Sequence, residues 1–492
     1  MLDFFTQLVL GVTSLVVLSF LLRKKDLDHI PTVGYSNPLL SVISCIRHVM
    51  GARDIILEGY LRYPGHLFKI PSFDGWTVVV NGTQQIDDIR RASEEQMSAM
   101  TTTAAYFQFR YTLGSRLLDN PFHVDVIRMA MTRNIGARYQ DIHEEVVRAY
   151  SEAIPSTANG WVSLTAYDLQ VDVISRVSSR YFVGQPLCEN PEFRSVCERA
   201  TMEIFKGRFI RIFPTFMRPL GSWLLTDIHG LRAKMEKFLR PLIDHRVEQE
   251  KKHGAEWPDK PNDLITWLMD AARAAGEEIT SADLSNRVLF ISFGAIHTSS
   301  AAFTAALYQL CLSPQDAQEL REEVEHVISQ EGWSKSALGK MYKVDSYLRE
   351  SQRIHFMSVL TMGRTVLKDF TFSDGTVIPK NTSLAVNVYS RHRDQDLYPD
   401  PHVFNGFRFV RKDGEAQPLV ATPTLEYHSF GHGRPACPGR FFAVAELKTM
   451  LAHIVTNYDI KLENNEYPPK MYMEANAIPN RTAKILFRKR LE

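Results

Sequence analysis

Phe430-Gly431-His432-Gly433-Arg434-Pro435-Ala436-Cys437-Pro438-Gly439 sets one cysteine among glycines, an aromatic residue and an arginine, directly before a helical run. Such a loop is suited to present a thiolate to a metal. A ligating cysteine must be deprotonated and shielded from oxidation, and nearby backbone N–H groups steady the charge on its sulfur. Glycines permit that close approach because they carry no Cβ. A free cysteine by itself behaves mostly as a small hydrophobe, so the reading rests on the pattern around Cys437 and not on the thiol alone.

The segment resembles the haem-binding signature of the cytochrome P450 family, Phe-x-x-Gly-x-Arg-x-Cys-x-Gly. Phe430, Gly433, Cys437 and Gly439 match it, while Pro435 holds the usual arginine position and Arg434 stands one residue early. The resemblance implies haem b with Cys437 as axial thiolate, and a monooxygenase that spends O2 and two electrons on an apolar small molecule. No nicotinamide or flavin motif occurs in the chain. The resemblance therefore implies a separate NADPH-cytochrome P450 reductase; Arg440, Lys448 and other basic residues on the cysteine side read either as its docking face or simply as a solvated charged face. The implied fold is mainly α with small β-sheets.

Three further stretches extend the resemblance. Glu350 and Arg353 share a helix face at i,i+3 spacing, on their own an ordinary ion pair. Their place before the cysteine matches the family's Glu-x-x-Arg helix. Arg408, in Asp400-Pro401-His402-Val403-Phe404-Asn405-Gly406-Phe407-Arg408, matches the arginine that completes a buried cluster with that helix, although Gly406-Phe407 replaces the usual Pro-Glu. In Leu289–Ser300, Gly294 and Ala295 leave room for oxygen and water, and the following hydroxyls can bond preceding carbonyls and open the helix. Thr298 aligns with the family's distal threonine, which the resemblance implies helps deliver protons during oxygen activation. His297 replaces the usual acid before it; it is either a proton relay, since imidazole titrates near neutrality, or a group that hydrogen-bonds a neighbour and shapes the groove.

Haem propionates need cationic partners, and the planar fork of arginine suits carboxylates. By resemblance Arg128 is the first choice, with His123 taking part of the contact that a tryptophan at the Val124 position would make. Arg364 and Arg434 are the others. The segments 107–118, 205–223, 289–293 and 356–362 correspond to the family's substrate-contact regions, and their Phe, Met, Ile and Leu content favours a bulky apolar ligand.

Composition agrees without deciding. The chain has 492 residues, 45% hydrophobic and 23% charged, with net charge +1, which makes no case for nucleic acid as a partner. Five scattered cysteines show no zinc or disulfide spacing and fit a reducing compartment. From Phe4 to Leu22 the chain is apolar enough to span a bilayer, and Arg23-Lys24-Lys25 follow while Asp3 precedes. The positive-inside rule then places the catalytic part in the cytosol. These features predict a membrane anchor at 1–25, a hinge at 26–40 and a haem-thiolate domain at 41–492, single-pass in the endoplasmic reticulum membrane. Phe209–Arg218 mixes aromatics with arginines and reads either as a membrane-dipping segment or as a helix-connecting loop.

The functional expectation is hydroxylation or multistep oxidation of a diterpene, triterpene or meroterpenoid, as in fungal secondary-metabolism members. Three alternatives stay open: a fatty-acid, steroid or xenobiotic hydroxylase; a haem-thiolate isomerase or dehydratase without reductase; and a non-catalytic haem-binding membrane protein.

Overall fold

The helix Ser281–Leu310, 30 residues long, forms the axis of the fold. Thr280 caps it by accepting from the Asp283 N–H. The helix is apolar over most of its length. By length and composition it could cross a membrane. Leu284, Val288, Leu289, Ile296 and Phe303 are nonetheless buried in the protein core. It packs against the helices Ala166–Val183, Pro191–Ile210, Ile228–His253 and Tyr342–His355. Truncating a side chain such as Phe303 here costs about 3–5 kcal/mol.

The computed structural model describes residues 27–490 apart from 38–39, 73–74, 156–159, 413–414 and 416. The expected anchor at 1–25 lies outside the described residues. Leu27, Ile30 and Val33, within the span read as a hinge, are buried, and Thr32 bridges to Lys69 of the first strand.

Helices predominate from Phe122 to His355. A five-stranded sheet lies to one side, in the order Phe68–Ser72, Gly75–Val80, Ser383–Asn387, Leu360–Val366, Met97–Ser98. Its second and third strands run parallel and the other pairs antiparallel. A three-stranded sheet joins Val162–Thr165, Lys484–Lys489 and Tyr458–Leu462, and two short hairpins complete the strands.

The cysteine loop leads into the helix Arg440–Asn457, whose Leu447, Met450, Leu451 and Ile454 are buried. Residues of Ser281–Leu310 and of Arg440–Asn457 line one interior space.

Candidate active site

That space is a cavity of about 490 Å3 between Gly294, Ala295 and Thr298 of the long helix and Phe430, Cys437 and Gly439 of the cysteine loop. Its volume lies within the range typical of small-molecule sites. The loop is held from inside: the Cys437 N–H donates to the Phe430 carbonyl at 2.8 Å, and the Ala436 N–H to that of Gly433 at 3.1 Å. Gly433 sits at φ +77°, and a Cβ there would lie 2.4 Å from the Arg90 carbonyl oxygen, so only glycine fits.

Cys437 is accessible from the cavity and otherwise enclosed by protein. Burial pushes its thiol up, while the backbone N–H groups of Gly439 and Arg440 and the Arg440 charge act the other way. The sulfur stands before the N-terminus of the Arg440–Asn457 helix, where the helix dipole also favours an anion. A thiol raised by burial yet aimed at by backbone donors is suited to a metal that displaces its proton.

Behind the loop, Glu350 and Arg353 are fully buried. Arg353 donates to both Glu350 oxygens, Nε at 2.7 Å and Nη2 at 2.8 Å. It also donates to the Pro401 carbonyl at 2.8 Å and to that of His392. Arg408 donates to Glu350 Oε1 at 3.1 Å and to the carbonyls of Pro399, Asp400 and Val403. The cluster thus pins a long irregular segment by its backbone. Gly406 has its own reason: a Cβ there would come 2.6 Å from the Tyr347 ring.

On the distal side the long helix stays helical through Thr298, and no opening of the ladder is present. The Thr298 hydroxyl donates to the Gly294 carbonyl at 2.6 Å, and both residues line the cavity. His297 points elsewhere. Its Nδ1 meets the Tyr167 hydroxyl at 3.0 Å and its Nε2 the Glu198 carbonyl at 3.1 Å, and burial lowers its pKa. The cavity wall includes Thr298 but not His297.

The three arginines differ sharply. Arg364 lines the cavity and is 3% exposed. The strand register shifts between Thr361 and Arg364, with Met362 at φ +51°, and this irregularity turns Met362, Gly363 and Arg364 all toward the cavity. Arg364 donates to the carbonyls of Gly363 and His432, and among the described residues no carboxylate pairs with it. Burial pushes its pKa down to about 10. Such a buried, uncompensated guanidinium fits a carboxylate ligand. Arg128 is half-exposed, paired with Asp125 at 3.0 Å and donating to the Arg434 carbonyl at 3.4 Å. Arg434 is exposed, and neither of these two side chains lines the cavity.

His123 is fully buried one helical turn before Ile127, which lines the cavity. Arg287 donates to its Nδ1 at 2.8 Å, which leaves the proton on Nε2, a buried donor with no partner among the described residues. Burial, reinforced by the Arg287 charge, pushes its pKa down to about 3. His123 itself does not line the cavity, so Arg364, together with Cys437, is what the cavity wall offers a haem: an unpaired cation for a propionate and a thiol for the iron. The residues present fit the group. Sequence reasoning missed Arg287 as the residue that sets this tautomer, because nothing local links positions 164 apart.

Away from Cys437, Phe107, Phe205 and Phe293 meet edge-on or tilted with ring centroids 5.0–5.5 Å apart. Phe290 beside them lines the cavity. Three of the segments expected to contact substrate thus converge. Lys448, expected at a docking face, is instead buried and paired with Asp345 at 2.9 Å, so it cannot meet a partner protein.

The cytochrome P450 family model matches residues 56–487. Cytochrome P450 monooxygenase 151 of Postia placenta is 39% identical over 474 residues, covering 95% of each chain. Ent-kaurene oxidase P450-4 of Gibberella fujikuroi is 30% identical over 472 residues, covering 94% of this chain and 92% of its own length. A crystal structure of a cytochrome P450 (CYP102L1) superposes with a TM-score of 0.73 at 18% identity, over 94% of this chain and 99% of the other. The family model spans most of the chain and the relatives match over nearly their whole length, and the chain belongs to the cytochrome P450 family as a monooxygenase.

Proposed function

We propose that the chain oxidises an apolar terpenoid scaffold, a diterpene, triterpene or meroterpenoid, by hydroxylation or successive oxidations in fungal secondary metabolism. The observation that carries this reading is the apolar cavity between Cys437 and Thr298, with the Phe107, Phe205 and Phe293 rings beside it. The 30% identity to a protein named ent-kaurene oxidase supports the substrate class.

Haem b bound through Cys437 supplies oxygen activation. The chain's own residues hold and shield it. The Gly439 and Arg440 N–H groups would steady the sulfur, Phe430 anchors the loop through its carbonyl, and Arg364 would hold a propionate, with Arg128, Arg434 and His123 as further candidates. Thr298 Oγ1 carries the mobile proton: its bond to the Gly294 carbonyl is exchangeable, and rotation about χ1 redirects it into the cavity. His297 tethers the long helix to Tyr167 and the Glu198 carbonyl and thereby positions Thr298. Phe290 and Phe182 exclude bulk water from the cavity.

Electrons come from NADPH through a separate reductase, which docks on the cysteine side around Arg128, Arg434 and Arg440. Residues 1–25 anchor the chain in the endoplasmic reticulum membrane, 26–40 connect, and 41–492 form the cytosolic domain. Exposed Phe216, Trp223 and Leu224 give that domain apolar side chains for the lipid surface.

The test is a dithionite-reduced carbon-monoxide difference spectrum of microsomes expressing the chain, beside Cys437→Ala, followed by a terpenoid screen with reductase and NADPH. A far-red Soret band lost in the variant, with NADPH-dependent product, is the expected result. A folded, haem-loaded protein without that band overturns the thiolate assignment. Turnover without NADPH favours an isomerase.

A further inference from the structure

A second chamber of about 390 Å3 adjoins the first, and Thr102 and Gly363 belong to the walls of both. Its lining is of another kind: His48, Tyr106, Gln108, Arg218, Glu474 and Asn476 are among its residues. Glu474 is already engaged. Tyr106 donates to it through its hydroxyl, and Arg211 pairs with it at 3.3 Å. Asn476 donates to the Tyr106 hydroxyl at 3.1 Å, which closes the network.

Arg218 is differently placed. It donates only to neutral acceptors, the Phe213 carbonyl at 3.2 Å and Gln108 Oε1 at 3.3 Å, and among the described residues no carboxylate pairs with it. Gln108, 7% exposed, holds the guanidinium in place from the chamber wall. Arg218 also opens the helix Arg218–Leu225, whose Leu220, Trp223 and Leu224 are exposed, with Phe216 just before it. An arginine at that level suits the head of an amphiphile whose body is apolar.

We propose that this outer chamber receives the carboxylate of an amphiphilic acid whose apolar body lies in the inner cavity, with Arg218 as the cation that holds it. The inference deepens the proposed function and rests on its reading of the inner cavity as the substrate site. The planar guanidinium offers two parallel N–H donors to a carboxylate, and an ester of the same acid offers no charge to meet them. The substrate is thus an acid, or an intermediate already oxidised to one, taken in with its polar end outermost.

The test is calorimetric titration of the full chain, in phospholipid-free detergent near neutral pH, with abietic acid and with its methyl ester. The wild type is expected to bind the acid about ten- to hundredfold more tightly than the ester. In Arg218→Gln that ratio falls to about one while ester affinity is unchanged, which also shows that the variant is folded; Arg218→Lys recovers part of it. A wild-type ratio of one overturns the proposal, as does a ratio that survives in Arg218→Gln. Equal binding of acid and ester, together with loss of phosphatidylserine-vesicle binding in Arg218→Gln, overturns it by assigning the arginine to the membrane surface. Calorimetry reads binding whether or not the carbon-monoxide band appears, so failure of the monooxygenase mechanism and failure of this proposal are separate results.

Discussion

Arg408 Nε donates to Glu350 Oε1 across 3.1 Å, joining residues 58 positions apart in the chain. Glu350 thereby carries two guanidiniums, and the Asn405 N–H also donates to it at 3.1 Å. Removing its charge strands both cations in the interior, a loss of about 3–5 kcal/mol for a broken buried pair. Glu350→Gln is expected to lower the denaturation midpoint strongly and to reduce haem retention, measured by chemical unfolding and haem content. Arg408→Lys should cost less, because Arg353 keeps its own two bonds to Glu350.

Thr298 and His297 are neighbours with opposite outlooks, and their variants should separate. Thr298→Ala leaves folding near wild type and diverts NADPH oxidation from product to peroxide, read as the ratio of product to NADPH consumed. His297→Phe loses two hydrogen bonds to Tyr167 and the Glu198 carbonyl, worth about 1–3 kcal/mol together. Its melting temperature should fall while the pH profile of turnover keeps its shape. A changed pH profile would make His297 a proton carrier instead.

Arg364 is the cavity's own cation, and Arg364→Ala should weaken haem binding more than Arg128→Ala or Arg434→Ala. Haem transfer to apomyoglobin measures this directly, with the fastest loss expected from the Arg364 variant. Arg128 is already paired with Asp125, which dilutes its charge toward any further anion.

Glu446 is fully buried on the helix after Cys437; Ser178 donates to one oxygen at 3.2 Å, and the other has no partner among the described residues. Burial pushes its pKa up to about 8 from the ordinary 4.5. Between those values the folded state keeps a proton that the unfolded chain releases, so stability declines as pH rises through the window and levels off above it. Glu446→Gln removes this term. Its melting temperature should match wild type near the acid end of the window and exceed it by a widening margin toward the alkaline end, as scanning calorimetry across the window would show.

Elements whose signal is local were legible from residues alone. The loop glycines before Cys437, the apolar run of Ser281–Leu310, the Asp-Pro segment before Arg408 and the i,i+3 spacing of Glu350 and Arg353 lie within short windows, where sterics and helical period act directly. Arg364 was only one of three comparable arginines on the page. A shift in strand register decides its orientation, and a shift depends on the partner strand Ser383–Asn387 as much as on its own residues. Lys448 reads as a surface cation until the helix Tyr342–His355 brings Asp345 against it.

The family was legible in the loop around Cys437 alone, because glycines and an aromatic at set offsets from a cysteine form a pattern that few other purposes require. Which side chains face the reaction space followed from packing in three dimensions. It turned His297 away from Thr298, left His123 Nε2 as an orphan donor by way of Arg287, and set a polar chamber of Tyr106, Arg218 and Glu474 against an apolar one. These outcomes depend on contacts between residues more than a hundred positions apart, where burial and hydrogen-bond satisfaction are settled by packing and leave no local trace.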